Sequence, residues 1–281
     1  MAVAPRRLTT TVEVRLVYVG HATVLIEFPS VRVLTDPFFG LRLGPLRRHG
    51  PEPDLEAIGA VDVVLISHAH PDHFDPPSLG RLAGDPIIVV PSGLERAASA
   101  AGHRVRELRS GEELDAAGAR ITAVPARHWR SPLDPPAIPL GYVVDAGPRV
   151  YFAGDTATVH GISRTIGAVD VALLPVGTWG PHRGGPGHLD PETAAQLAHE
   201  LGPAVAVPIH WGTLYPIGLE RVVSRPLRKP GERFREAAAR LAPGVEVHVL
   251  RPGESATVSV GHRAGGPSYA SGPATPRRHR P

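Results

Sequence analysis

Short apolar runs recur along this chain, and each stops at a turn after four to nine residues. The candidate strands are VEVRLVYVG, TVLIEF, VRVLTD, DVVLIS, PIIVVP, ARITAVP, LGYVVDA, RVYFAGD, DVALLPVG, AVAVPIH and VEVHVL. Several are apolar without alternation, as expected of strands covered on both faces. Helical segments are fewer. The clearest is DPETAAQLAHELG, with Asp190 as N-cap, Pro191 at the first helical position and Gly202 as terminator. GLERAASAAG and GERFREAAARLAPG are shorter candidates. Strands in both halves with helices among them predict packed sheets with helices outside, an α/β (α+β) chain. A faint echo accompanies this pattern: AVDVVLISHAH begins at Ala60 and AVDVALLPVGTW at Ala168. It reads either as two related half-domains or as coincidence between common residues.

The 281 residues are enough for one large domain. Residues 1–260 are read as that domain. Residues 261–281, rich in Gly, Pro, Ser and Arg, are read as a disordered basic tail that buries too little apolar surface to offset its ordering entropy. The tail also dominates the charge. It carries four arginines and no acid from residue 262 on, whereas the whole chain is +3, which leaves the remainder near −1. Nucleic acid is therefore not an expected partner. Arg47, Arg48 and the RPLRKP stretch at 225–230 read as solvated surface charge. No apolar run approaches the roughly 18 residues of a membrane span, and the N-terminus lacks the apolar core of a secretory signal. Cysteine is absent, which excludes disulfides and thiolate sites. The expected setting is cytoplasmic, without stable membrane association. The oligomeric state is not legible.

The chemistry gathers in LISHAHPDHFD. His68, His70, Asp72 and His73 follow the apolar run DVVLIS within six residues, and Pro71 stiffens the turn. Imidazole nitrogen and carboxylate oxygen suit borderline divalent metals such as zinc, with manganese or iron as alternatives. Further donors stand where other apolar runs end: His128 after ITAVPAR, Asp155 after RVYFAG and His210 after AVAVPI. Loops at one edge of a rigid sheet are where sites are usually built. Asp155 has a second reading as a cap, because DTATVHG resembles a helix start. Asp36 in LTDPFF reads equally as the outer hydrogen-bond partner of a ligand histidine and as a turn residue before Pro37. His21 is a candidate for the rim of the site. Trp129, Trp179 and Trp211 read as packing. His49, His103, His160, His199, His248, His262 and His279 read as surface residues.

The order His68-x-His70-x-Asp72-His73, then His128, Asp155 and His210, resembles the metallo-β-lactamase superfamily over nearly all of residues 12–258. HATVLIE, LTDPFF, PARHW, YFAGDTA, GHLDPETA and PIHWGTL resemble, within it, the branch containing N-acyl-phosphatidylethanolamine phospholipase D and ascorbate-phosphate lactonase. The resemblance implies a four-layer αββα sandwich of two similar halves and two divalent metal ions. One ion would take His68, His70 and His128, and the other Asp72, His73 and His210, with Asp155 bridging. It further implies His188 beside the site as a substrate contact or proton donor. Asp72 is a candidate either to orient the nucleophile or to take its proton. The expected activity is hydrolysis of an ester-like bond by a hydroxide held between two metals about 3.5–4 Å apart. A phosphodiester is the first candidate and a phosphorylated sugar lactone the alternative. A non-hydrolytic metal-binding or redox module is the reading from another class. The short polar segment PHRGGPG before His188 argues for a small soluble substrate rather than a lipid.

Overall fold

The computed structural model describes residues 11–129, 135–157, 159–177, 187–218 and 229–261. Its first large sheet contains β1 (Thr11–Gly20), β2 (Thr23–Glu27), β3 (Arg32–Thr35), β6 (Val63–Leu65), β7 (Ile87–Pro91), β8 (Arg104–Leu108) and β17 (Ser255–Gly261). The second contains β9 (Glu113–Ala116), β10 (Ala119–Pro125), β11 (Leu140–Asp145), β12 (Arg149–Phe152), β13 (Val171–Pro175), β14 (Val205–Ile209) and β16 (Glu246–Val247). A small third sheet pairs β15 (Leu214–Pro216) with β5 (Leu46–Arg48), and β5 with β4 (Arg42–Leu43).

The two large sheets share one plan. The first runs β17-β1-β2-β3-β6-β7-β8 and the second β9-β10-β11-β12-β13-β14-β16. In each, the first three pairings are antiparallel and the last three parallel. The Ala-Val-Asp echo occupies equivalent places. Asp62 Oδ2 accepts the backbone N–H of Arg32 at 2.8 Å, and Asp170 Oδ2 that of Arg149 at 2.8 Å. The Arg32 guanidinium donates to the Ala60 carbonyl as Arg149 does to that of Ala168. A four-residue helix precedes each echo, α1 (Leu55–Ile58) and α4 (Ser163–Ile166), and ends at Gly59 and Gly167 respectively. Of the two readings of the echo, the fold supports the related halves.

Strand alternation explains the burial. Val33, Val63, Leu65 and Val89 face the second sheet, packing with Ile121, Val143 and Leu173 in the central core. Their neighbours Leu34, Val64, Ile88 and Val90 face the other way, where Ile58 of α1, Leu79 of α2 (Pro76–Leu79) and Ala98 of α3 (Glu95–Ser99) cover them. On the far side, α5 (Pro191–Leu201) and α6 (Pro230–Leu241) pack on each other and over β13 and β14. Helices, two sheets and helices make up the mixed α/β sandwich that was expected. The α5 ends are as read from sequence: Asp190 closes a capping box with Thr193, and Gly202 is left-handed.

Several expectations need correction. VEVHVL forms a strand only over Glu246–Val247, where it pairs with β14 alone. Arg48 is buried, not solvated, because its guanidinium donates to the carbonyls of Phe38, Gly40 and Val19. His49 is half-buried, with its ring edge-on to Tyr215 at 4.8 Å. Trp211 packs on Tyr18 as expected, but Trp129 is 57% exposed. Gly261 closes β17, one residue beyond the boundary read from sequence. The rest of the tail, Trp179 and residues 225–228 lie outside the described residues.

Candidate metal centre

All seven expected ligands and His188 converge at one edge of the sandwich, each from a loop that follows a strand. His68 and His70 follow β6, and a tight turn returns Asp72 and His73 to the same place through N–H donation from His73 to the His70 carbonyl at 2.9 Å. His128 follows β10, Asp155 follows β12 and His210 follows β14. Asp155 does not cap a helix, since α4 begins only at Ser163. Gly154, at φ +57°, carries the chain into the site past Ser67; a Cβ there would lie 2.6 Å from the Ser67 Cβ.

The donors form two sets. In the first, His70 Nδ1 lies 3.0 Å from His68 Nε2 and 2.9 Å from His128 Nε2. In the second, His73 Nε2 and His210 Nε2 are 3.2 Å apart, with Asp72 Oδ2 at 3.7 and 3.8 Å from them. Asp155 Oδ2 stands between the sets, 3.3 Å from His73 Nε2, 3.3 Å from His210 Nε2 and 3.9 Å from His128 Nε2. The second set is buried throughout and the His128 side chain is sealed, whereas His70 is half-buried. The centre therefore opens beside His70.

Outer contacts fix the tautomers. A carbonyl can only accept, so His128 Nδ1 carries a proton towards Gly187 O at 2.8 Å, and His210 Nδ1 one towards Gly177 O at 2.9 Å. His73 Nδ1 faces Asp36 Oδ2 at 2.6 Å. Ser67 Oγ donates to that same oxygen at 2.6 Å, and its own lone pair then accepts from His68 Nδ1 at 2.9 Å. Four rings thus hold their protons on the outer nitrogen and present four inward Nε2 lone pairs. Lone pairs this close repel unless a metal ion or a second proton lies among them, and against burial Asp155 raises His73 and His210 towards the protonated form. The buried Asp155 Oδ1, without a hydrogen-bond partner, adds a further donor of the same kind. Nitrogen and carboxylate donors with outer oxygen partners are what divalent metal sites use, so the residues fit the metals that the family resemblance implies.

The charges respond to this crowding. Burial disfavours the charged form of Asp155, but His210 and His73 outweigh it and hold the carboxyl well below the usual range. Asp72 is lowered in the same way against burial, by His73 and His21. Burial lowers His188 to about 4 against the pull of Asp155, so its ring is neutral near pH 7. His188 Nδ1 is sealed and 3.4 Å from Asp155 Oδ2, while 17% of the side chain stays exposed.

Sequence reading placed Asp36 equally as turn residue and outer partner; its fully buried carboxylate serves as the partner. It missed Ser67, whose signal is a hydroxyl immediately before the first histidine. It put His21 at the rim, yet that ring is buried, donating from Nε2 to Asp72 Oδ2 at 2.9 Å and lying 4.0 Å from the His210 ring. Three of the four described non-glycine residues with positive φ are His21, Asp36 and His210. Such backbone strain persists where surrounding structure enforces it.

Comparison with known proteins agrees with this geometry. The family model described as the beta-lactamase superfamily domain matches residues 31–211, well over half of the chain. A UPF0173 metal-dependent hydrolase of Thermus thermophilus is 36% identical over 256 residues, covering 86% of this chain and 97% of that protein. Among solved structures, a metallo hydrolase of Ignicoccus hospitalis is similar with a TM-score of 0.67 and 27% identity, covering 88% of this chain and 98% of its own. A diiron β-hydroxylase of Streptomyces venezuelae shares the fold at a TM-score of 0.62 and 21% identity, over 89% of this chain and 55% of that one. The chain therefore belongs to the beta-lactamase superfamily, and within it to the UPF0173 metal-dependent hydrolases.

Proposed function

We propose that this protein hydrolyses a phosphodiester in a small soluble substrate at a dinuclear centre. His68, His70 and His128 would hold one divalent metal and Asp72, His73 and His210 the other, with Asp155 between them; zinc is the first choice. The observation that carries this is the facing of two sets of inward lone pairs across one carboxylate. Bound there, two divalent ions supply Lewis acidity towards a substrate oxygen and lower the pKa of water towards neutrality. The protein's own residues do the rest. Half-buried His70 leaves the open side for substrate. His188, neutral near pH 7 and partly exposed beside Asp155, is placed to contact the substrate. Asp72, held by His21, keeps a carboxylate oxygen beside the reacting centre to orient water. The resemblance of PARHW, YFAGDTA, GHLDPETA and PIHWGTL to a phospholipase branch favours the phosphodiester over a lactone. We place the activity in the cytoplasm.

The test is parallel assay of zinc-loaded protein with bis(4-nitrophenyl) phosphate and a phosphorylated sugar lactone. Cleavage of the diester, lost in Asp155→Ala together with bound metal, supports the reading. Turnover of the lactone alone makes the enzyme a lactonase. Full activity and undiminished metal in Asp155→Ala overturn the assignment altogether.

A further inference from the structure

His21 belongs to no expected ligand set, yet two contacts bind it to the second one and a third anchors its backbone. Its Nε2 meets Asp72 Oδ2 at 2.9 Å, the oxygen that faces His73 and His210. Its carbonyl accepts the backbone N–H of His210 at 2.7 Å. Its own backbone N–H donates to Thr213 Oγ1 at 2.7 Å. His21 and His210 are both left-handed, at φ 59° and 61°, and the 2.7 Å bond joins them where both are strained. By strand order, His21 in the β1–β2 connection occupies the place that His128 takes in the β10–β11 connection of the other half. In one half this position supplies a candidate ligand; in the other it grips two.

We propose that His21 is the positioning residue of the second metal set, aiming Asp72 Oδ2 and holding the His210 backbone, so that it governs metal affinity at Asp72–His73–His210 and not at His68–His70–His128. Carboxylate ligands need such outer partners, and losing one typically costs about 10–100-fold in metal affinity. The proposal rests on the dinuclear reading above.

His21→Gln retains an N–H donor near the Nε2 position, and His21→Met has similar length without one. Metal-free protein is titrated with zinc against a chromophoric chelator to resolve two binding steps. Asp72→Ala and His70→Ala identify which step belongs to which set. The expected result is a loss of about 10–100-fold in H21M, confined to the step that Asp72→Ala abolishes, with the Gln variant close to wild type. Native affinity for both steps in H21M, or equal losses in Met and Gln, overturns the assignment. Should H21M not fold, Thr213→Val loosens the same backbone without touching a ligand, and must weaken the same step; unchanged binding in T213V overturns the proposal. Failure of the dinuclear reading looks different, since wild-type protein would then show fewer than two zinc-binding steps.

Discussion

Asp36 holds His73 through a 2.6 Å contact between Oδ2 and Nδ1, and both side chains are wholly buried. The same oxygen accepts from Ser67, which in turn holds His68, so one carboxylate orients a candidate ligand in each donor set. Asp36→Asn keeps the volume but removes the charge and one acceptor oxygen. Weaker zinc binding at both steps is expected, by about 10–100-fold. The chelator titration checks it, and a loss at only one step would show that the Ser67 link carries no orientation.

Metal removal is expected to loosen the whole edge of the sandwich. The donors come from both halves, so a bound cation ties β6 and its turn to β10, β12 and β14. A ligand at 100–1,000 times its dissociation constant stabilises by about 2.7–4.1 kcal/mol. For a chain of this size each kcal/mol shifts the midpoint by about 2–4 °C. Chelation is therefore expected to lower Tm by about 5–15 °C, with zinc restoring it, as followed by circular dichroism.

The convergence of the candidate ligands was legible in the sequence because they follow the ends of local apolar runs, and an edge of paired sheets brings such ends together. His21 and Arg48 were not legible as structural partners. His21 acts through contacts with Asp72 and Thr213, 51 and 192 positions away, and nothing in its immediate sequence reports them. Arg48 looks like a surface charge beside Arg47. It is buried because the carbonyls of Phe38 and Gly40 accept from its guanidinium. The duplication was half legible: Ala-Val-Asp marked one equivalent segment, but strand order alone shows that the whole sheet repeats.

Arg48 yields a prediction of its own. It satisfies the carbonyls of Phe38, Gly40 and Val19 beneath the β4–β5 hairpin. Arg48→Met leaves these acceptors without that donor, at about 1–3 kcal/mol for each one left unsatisfied. Arg48→Lys should rescue little, because a single ammonium cannot reproduce the planar fork. Urea denaturation is expected to show both losses with zinc stoichiometry intact. A wild-type midpoint in R48M would contradict the buried role.

The repeated aspartates separate geometry from burial. Asp62 and Asp170 accept equivalent backbone N–H groups at the same 2.8 Å. Asp170 is buried at 7% exposure, whereas Asp62 is exposed. Removing the Asp62 carboxylate lets water reach Arg32 N–H, so Asp62→Ala should cost no more than a net hydrogen bond, about 0.5–1.5 kcal/mol. At the second site water has poorer access, and Asp170→Ala should approach the larger penalty for an unsatisfied buried donor, about 1–3 kcal/mol. Chemical denaturation of the two variants beside wild type measures the difference. Equal losses would mean that both positions act through their shared turn geometry, and a larger loss at Asp62 would contradict the burial argument.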